Sequence, residues 1–411
     1  MMIEHISELD SKDKGRFRFR RIALIVLDSA GIGELPDAAQ FGDTGAHTLG
    51  HIIERVDRVK LPNLRSMGLG NIAPLGSWEP AAASTAAYGK MAEVSAGKDT
   101  LTGHWELAGL QTSVPFRTFA DGFPAALMEE LERQTGRAVI GNKAASGMAI
   151  LEELGPEQIE SGAWIVYTSA DSVLQIAAHE GVIPLEELYH ACEIARALTL
   201  GEPYALGRII ARPYTGEPGA FVRTAGRHDY AVKPPEPTVL NALQNAGLDV
   251  LSVGKISDIF DGEGISASYP TANNAEGIER TIELLAQPFT GLLFTNLVDF
   301  DSLYGHRRDV EGYAQLLEAF DLKLPAIMSS LDENDLLIIT ADHGNDPTHS
   351  GTDHTREYVP LLVYSPSLTG GTNLGVRRTF ADVAATIADN FSVAAKRGIS
   401  FLGELRDISD Q

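Results

Sequence analysis

Six side chains in this 411-residue sequence are of the types that hold metal ions, and they fall in a telling pattern. Asp28 follows the apolar run Ile22–Leu27, Asp301 follows Leu292–Val298, and Asp342 follows Leu336–Thr340. His306 lies five positions beyond Asp301, His343 adjoins Asp342, and His354 sits in the next loop, within Thr352-Asp-His-Thr355. One strand-end Asp reads equally well as a loop or helix cap, and a lone His as a satisfied surface or core residue. Three of the 11 histidines beside three such aspartates require several independent accidents on that reading. Three carboxylates and three neutral imidazoles suit two divalent ions about 3.5–4 Å apart, the spacing of two-metal phosphate chemistry. The ligand types are compatible with Mn, Zn or Fe.

A nucleophile is available in Gly97-Lys-Asp-Thr-Leu-Thr-Gly-His-Trp-Glu106, a polar, glycine-flanked segment ahead of a predicted helix. There the Thr100 hydroxyl could attack phosphorus while helix N-terminal amides stabilise phosphate oxygens. The same threonine also reads as an ordinary N-cap.

Composition bounds the partners. The formal charge is −23, which repels nucleic acid at long range. A small phosphorylated substrate then needs a local positive source, which metal ions supply. Two divalent ions and three carboxylates leave a formal charge of about +1 in such a pocket. No apolar run approaches the roughly 18 residues of a membrane span, and residues 1–21 lack the apolar stretch of a secretory signal. The single cysteine, Cys192, excludes an intramolecular disulfide and fits a reducing, cytoplasmic setting.

The elements that must position these residues alternate between strands and helices. Strands are predicted at Ile22–Leu27, Asp249–Val253, Gly291–Val298, Leu336–Thr340 and Val359–Tyr364, and helices at Val239–Ala246, Ala275–Ala286, Tyr313–Leu331 and Phe380–Phe391. This is an α/β core with a mainly parallel sheet between helices. In such sheets ligands bind outside the carboxyl ends of the strands, where all three aspartates fall. A second α/β pattern intervenes: helix Gly122–Thr135, strand Trp164–Ser169, helix Leu185–Leu198 and strand Tyr204–Ala211. Val114-Pro-Phe-Arg117 and Lys233-Pro-Pro-Glu-Pro237 flank it as linkers. The expected organisation is an N-terminal extension (1–20), a first core segment (21–113), an inserted smaller cap domain (114–232) and a second core segment (233–411).

Long motifs in order along the chain resemble those of phosphopentomutases of the alkaline phosphatase superfamily. They are Asp28-Ser-Ala-Gly-Ile-Gly-Glu-Leu-Pro-Asp37, Phe41-Gly-Asp-Thr-Gly45, His47-Thr-Leu-Gly-His51, the Gly97–Glu106 segment and Gly254-Lys-Ile-Ser-Asp-Ile-Phe-Asp-Gly-Glu-Gly264. Asp299-Phe-Asp-Ser-Leu-Tyr-Gly-His-Arg-Arg-Asp309, Ala341-Asp-His-Gly-Asn-Asp346 and Gly351-Thr-Asp-His-Thr-Arg-Glu357 complete the set. The resemblance implies an alkaline-phosphatase-like core with an inserted cap. It assigns Asp28, Asp342 and His343 to one ion and Asp301, His306 and His354 to the other, with manganese the family's usual metal. It implies that Thr100 carries the phosphoryl group, that ribose 1-phosphate and ribose 5-phosphate (and their 2-deoxy forms) interconvert, and that a sugar bisphosphate primes the enzyme. A cap closing over the site would keep water from the phosphoenzyme. Asp171, Arg208 and Lys255 match the family's substrate contacts, although each also reads as a solvated charge. Arg227-His-Asp-Tyr230 reads as a hinge or structural turn. A phosphatase, a sulfatase or a phosphoglycerate-type mutase would use the same metal pattern, and a non-catalytic metal-binding module is the reading from another class. Small pentose phosphates are the expected partners; oligomeric state is not readable.

Overall fold

Every residue of Arg21–Leu27 is buried, as a strand covered on both faces requires. The computed structural model describes residues 17–169 and 171–408. In chain order the strands are β1 (Arg21–Leu27), β2 (Ala87–Met91), β3 (Val139–Ala144), β4 (Trp164–Thr168), β5 (Val173–His179), β6 (Arg208–Thr215), β7 (Val222–Arg223) and β8 (His228–Ala231). They continue with β9 (Asp249–Val253), β10 (Ala267–Tyr269), β11 (Gly291–Leu297), β12 (Asp335–Thr340), β13 (Val359–Tyr364) and β14 (Asn373–Arg377). The chain divides into two units: one runs to Ser113 and resumes at Pro234, and the other is Val114–Lys233.

The first unit carries an eight-stranded sheet in the order β10-β9-β11-β1-β12-β13-β2-β14. The strands from β10 to β12 are parallel, whereas β13 runs antiparallel to both β12 and β2. The α/β architecture with a mainly parallel sheet is therefore present. β2 and β14 carry no strong signal in the sequence. They are short, and glycine, lysine and arginine interrupt their apolar residues.

The helices of this unit start where side chains replace missing backbone partners. Thr238 and Asn241 form a reciprocal capping box ahead of Val239–Asn245. Asp309 accepts from the Gly312 amide, so the following helix, Val310–Ser329, begins a turn before the predicted Tyr313. That helix contains Pro325, which cannot donate to the carbonyl of Asp321 four residues earlier. The Asn63 amide donates to that carbonyl instead (2.9 Å), and the Asp321 carboxylate accepts from the backbone amides of Asn63 and Leu64. The proline thus creates the docking point for helix Pro62–Ser66.

Residues 1–16 of the expected extension lie outside the described residues. Residues 17–20 belong to the core instead: Phe19 is buried, its backbone is bracketed by the Asn390 amide, and Arg18 donates to the carbonyls of Leu402 and Leu405.

The second unit is a smaller sheet in the order β3-β4-β5-β6-β7, with β8 also paired to β6. Trp164, Val166, Leu174, Ile176, Ile209 and Ala211 belong to its larger apolar cluster, which also takes in residues of helices Ala125–Thr135 and Leu185–Leu198. The other face packs Ile165, Tyr167, Ala177 and Tyr214 with Ile150 and Leu151 of helix Gly147–Ser161. One predicted strand is displaced: Tyr204–Ala211 becomes Arg208–Thr215. The Arg196 guanidinium takes the carbonyls of Thr199, Leu206 and Gly207, holding that stretch as a loop. No described helix is long and apolar enough to cross a membrane.

At the amino end of the central sheet Arg21 pairs in register with Asp335. Its Nε donates to Asp335 Oδ1 at 2.7 Å, its Nη2 reaches Oδ2, and its Nη1 donates to the Leu285 carbonyl. Both side chains are buried, so Arg21→Met strands a carboxylate. We expect a loss of about 3–5 kcal/mol in urea denaturation, partly restored by adding Asp335→Asn.

Candidate metal centre

β11, β1 and β12 are adjacent and parallel, with Leu27 opposite Leu297 and Val26 opposite Thr340. The chain leaves all three strands at one edge, which brings Asp28, Asp301 and Asp342 together. All three are buried. Asp28, Asp342 and His343 offer ligand atoms within 4.8 Å of one another, and so do Asp301, His343 and His354. His306 joins the second group: its Nε2 is 3.0 Å from Asp301 Oδ2, and its ring centroid is 4.7 Å from that of His354. His343 stands between the groups, with its ring centroid 4.1 Å from that of His354.

Local backbone geometry produces these approaches. Phe300–Gly305 is a wide turn in which the His306 amide donates to the Asp301 carbonyl, five residues back (3.1 Å). That spacing puts the His306 ring over the Asp301 carboxylate; such π-type turns recur at functional sites. Ser29 is left-handed (φ 74°), and its amide donates to Asp342 Oδ1 at 3.0 Å. This is a strained conformation held where a ligand must be aimed.

The protonation pattern fits cations. His343 Nδ1 donates to the Gly344 carbonyl (3.0 Å) and His306 Nδ1 to the Thr352 carbonyl (2.7 Å). The Nε2 lone pairs therefore face inward. His343 Nε2 lies 3.3 Å from Asp342 Oδ2 and 3.5 Å from Asp28 Oδ1. Acceptors facing acceptors at these distances need a proton or a metal between them. Each carboxylate has one oxygen held by a donor. Asn296 Nδ2 donates to Asp28 Oδ2 (2.8 Å), Asn345 Nδ2 to Asp301 Oδ1 (2.7 Å), and the Ser29 amide to Asp342. The other oxygens, Asp28 Oδ1 and Asp342 Oδ2, are buried without a hydrogen-bond partner. His104 Nδ1 is 3.0 Å from Asp342 Oδ2, but it aligns its proton with the Thr100 carbonyl at 2.9 Å. Buried acceptors of this kind are rare unless an ion meets them, and this donor set fits divalent cations.

Charge repulsion gives the same account. Burial, then the charges of Asp342 and Asp301, raise Asp28 to about 7. Burial opposes protonation of His343, yet the carboxylates of Asp342, Asp28 and Asp301 push it up to about 9. A proton does the work of a cation.

Thr100 is the first residue of helix Thr100–Leu107, and Asp99 is its cap, accepting from the amide and hydroxyl of Thr102. The Thr100 hydroxyl is thus not spent on capping. It lies 3.2 Å from His343 Nε2. The helix reaches this position because residue 103 is glycine: a Cβ there would sit 2.1 Å from the Asp342 carbonyl oxygen. The preceding loop is anchored by buried Arg356, which donates to the Gly97 carbonyl (2.6 Å) and Glu93 (2.7 Å). Lys98 pairs with Asp43 at 2.9 Å.

All six expected ligands and Thr100 therefore converge. Lys255 follows β9, at the same end of the core sheet. Asp171 and Arg208 belong to the second unit, where they pair at 3.6 Å. Sequence reading did not single out Asn296, Asn345 or His104. Asn296 had one signal, an amide beside Thr295 near the end of the mostly apolar run of β11.

Residues 20–395 match the family described as the Metalloenzyme superfamily. Among solved structures, the chain is similar to the PH0037 protein from Pyrococcus horikoshii, at 15% identity over 92% of this chain and 99% of that one, with a TM-score of 0.49. It is also similar to a phosphoglycerate mutase from Leishmania mexicana, at 15% identity over 92% and 96%, with a TM-score of 0.42.

Two outcomes follow from the geometry. A metal must displace the proton that His343 holds below about pH 9. Binding near neutral pH should therefore release at least one proton, and apparent affinity should climb as pH rises toward 9. Titration calorimetry in buffers of different ionisation enthalpy measures both. Asn296→Ala frees the Asp28 carboxylate to rotate and should weaken metal binding about 10–100-fold.

Proposed function

The chain belongs to the Metalloenzyme superfamily, and on that premise we propose that it is a phosphopentomutase that interconverts ribose 1-phosphate and ribose 5-phosphate, or their 2-deoxy forms. Asp28, Asp342 and His343 would hold one divalent ion and Asp301, His306 and His354 the other, with manganese the proposed metal. The observation that carries this reading is the Thr100 hydroxyl, 3.2 Å from a histidine shared by the two ligand groups. The ions, when bound, neutralise phosphoryl oxygens and favour an ionised threonine oxygen.

Thr100 supplies the group that carries phosphorus. In its phosphorylated form, primed by a sugar bisphosphate, the bond from Thr100 Oγ to phosphorus breaks as the free hydroxyl of a pentose monophosphate bonds to phosphorus, releases its proton to the medium and leaves Thr100 Oγ ionised. Thr100 Oγ then bonds to the other phosphorus of the pentose bisphosphate, that phosphorus's bond to its sugar oxygen breaks, and the freed sugar oxygen takes a proton back. At the first residue of its helix, Thr100 carries this negative charge beside the positive end of the helix dipole. The Asp99 cap and the Arg356 anchor hold Oγ in place without using it, the positioning on which phosphoryl transfer depends. Arg208 and Lys255 are the proposed phosphate contacts, and Asp171 a contact for sugar hydroxyls.

The test supplies ribose 1-phosphate, a sugar bisphosphate and manganese, and follows ribose 5-phosphate against free phosphate. We expect ribose 5-phosphate with little phosphate release. Thr100→Ala should abolish the phosphoenzyme and lower turnover by at least about a thousandfold, with metal content retained. Predominant phosphate release would replace the mutase with a phosphatase on the same centre, and indifference to Thr100→Ala would leave only a metal-binding module.

A further inference from the structure

The run Arg227-His-Asp-Tyr230, expected to be a hinge or turn, leads instead into β8, which pairs antiparallel with β6. It completes a cationic face on the second unit. Alternation along β6 puts Arg208, Ile210, Arg212 and Tyr214 on one side of the sheet. In register, Asp229 and Gln175 lie opposite Ile210, Tyr167 opposite Gln175, and Arg223 opposite Tyr214.

The charges on this face do not balance. Arg227 grips Asp229 through two hydrogen bonds of 2.7 Å. Arg212 donates Nε to the neutral Gln175 (3.0 Å), and Arg223 donates to the Tyr167 hydroxyl (3.4 Å). Neither Arg212 nor Arg223 has a carboxylate within ion-pair distance among the described residues, and Arg223 Nε is buried without an acceptor. Arg208 has Asp171 as its partner at 3.6 Å, so the other three guanidiniums, Arg212, Arg223 and Arg227, face the one remaining carboxylate, Asp229, and leave a formal charge of about +2. Burial, then the charges of Arg227 and Arg223, depress Arg212 to about 10. The chain as a whole carries −23, so carboxylates are abundant, yet none is placed within ion-pair distance of Arg212 or Arg223 among the described residues. The acceptors of these two arginines are held in place: Gln175 and Tyr167 are buried, and the Arg223 guanidinium lies in the space beside Gly147 that a Cβ would occupy.

We propose that Arg212 and Arg223 form a binding site for a phosphate dianion on the second unit, built from neither the metal ligands nor Arg208. Guanidinium forks match phosphate oxygens bidentately, and a dianion cancels the local charge. A long polyanion such as nucleic acid would be repelled by the remaining acidic surface. The phosphate is either free or the phosphomonoester of a small metabolite. The site needs neither metal nor Thr100, so it can be tested apart from the mutase reading.

The test titrates the full chain, stripped of metal by chelation, with inorganic phosphate and separately with ribose 5-phosphate at low ionic strength. Saturable binding is expected. Arg212→Gln should weaken it tenfold or more, and Arg212→Lys, which keeps the charge but loses the fork, by less. Arg223 is packed against Gly147, so Arg212 is the decisive position, and an unchanged melting temperature of its variants confirms that they fold. Loss of phosphate binding in Arg212→Gln identifies a site for free phosphate, and loss of ribose 5-phosphate binding alone a site for the ester; either supports the proposal. Equal affinity of Arg212→Gln and the parent for both probes, or no binding by the parent, overturns it.

Discussion

Three buried carboxylates at the ends of adjacent parallel strands repel one another, and the rest of the core is arranged around that cost. Asp28, Asp301 and Asp342 cannot all be ionised in so small a space without compensation. Their mutual repulsion raises Asp28 and His343 together, so a proton can offset part of the conflict. Divalent ions would resolve it with charge that also serves chemistry. The sheet order β11-β1-β12 makes the conflict unavoidable, since any fold that keeps these strands neighbours brings their exits together.

Around the carboxylates lies a shell that decides which oxygens remain available. Asn296, Asn345 and the Ser29 amide each take one oxygen of a different aspartate. Arg308 in turn donates to the Asn345 side-chain oxygen, fixing which way that amide points. This order is costly, since each member is a polar group removed from water and must find its partner. Glu357 shows the same economy away from the ligands, accepting from the Gly33 amide and from the amide and hydroxyl of Thr48 to tie the loop after β1 to the loop before β13.

Much of this was legible in the sequence, and the losses have physical causes. β9 and β13 lie where predicted, and β11 within one residue, because short runs rich in valine and leucine leave little choice of element. The convergence of the six expected ligands and Thr100 was legible because strand ends announce themselves and because the motifs are long. β2 was not, since Gly89 and Lys90 break its apolar pattern and only its neighbours make it a strand. β6 was misplaced because the sequence has strand character from Tyr204 on, while Arg196, at the end of the preceding helix, claims the carbonyls of Leu206 and Gly207. Thr100 had two readings in sequence, and it took the Asp99 carboxylate to remove one of them. Asn296 and His104 owe their positions to residues some 190 to 270 places away, a dependence that local pattern does not encode.

Gly103 has a mechanical consequence. With no side chain between helix Thr100–Leu107 and the backbone of Asp342, the two segments touch as bare main chain, without the cushion of a flexible group. A nudge to either is passed directly to the other. The residue proposed to carry phosphorus and the turn bearing two of the proposed ligands would then shift as one body, keeping their spacing through breathing of the surrounding sheet.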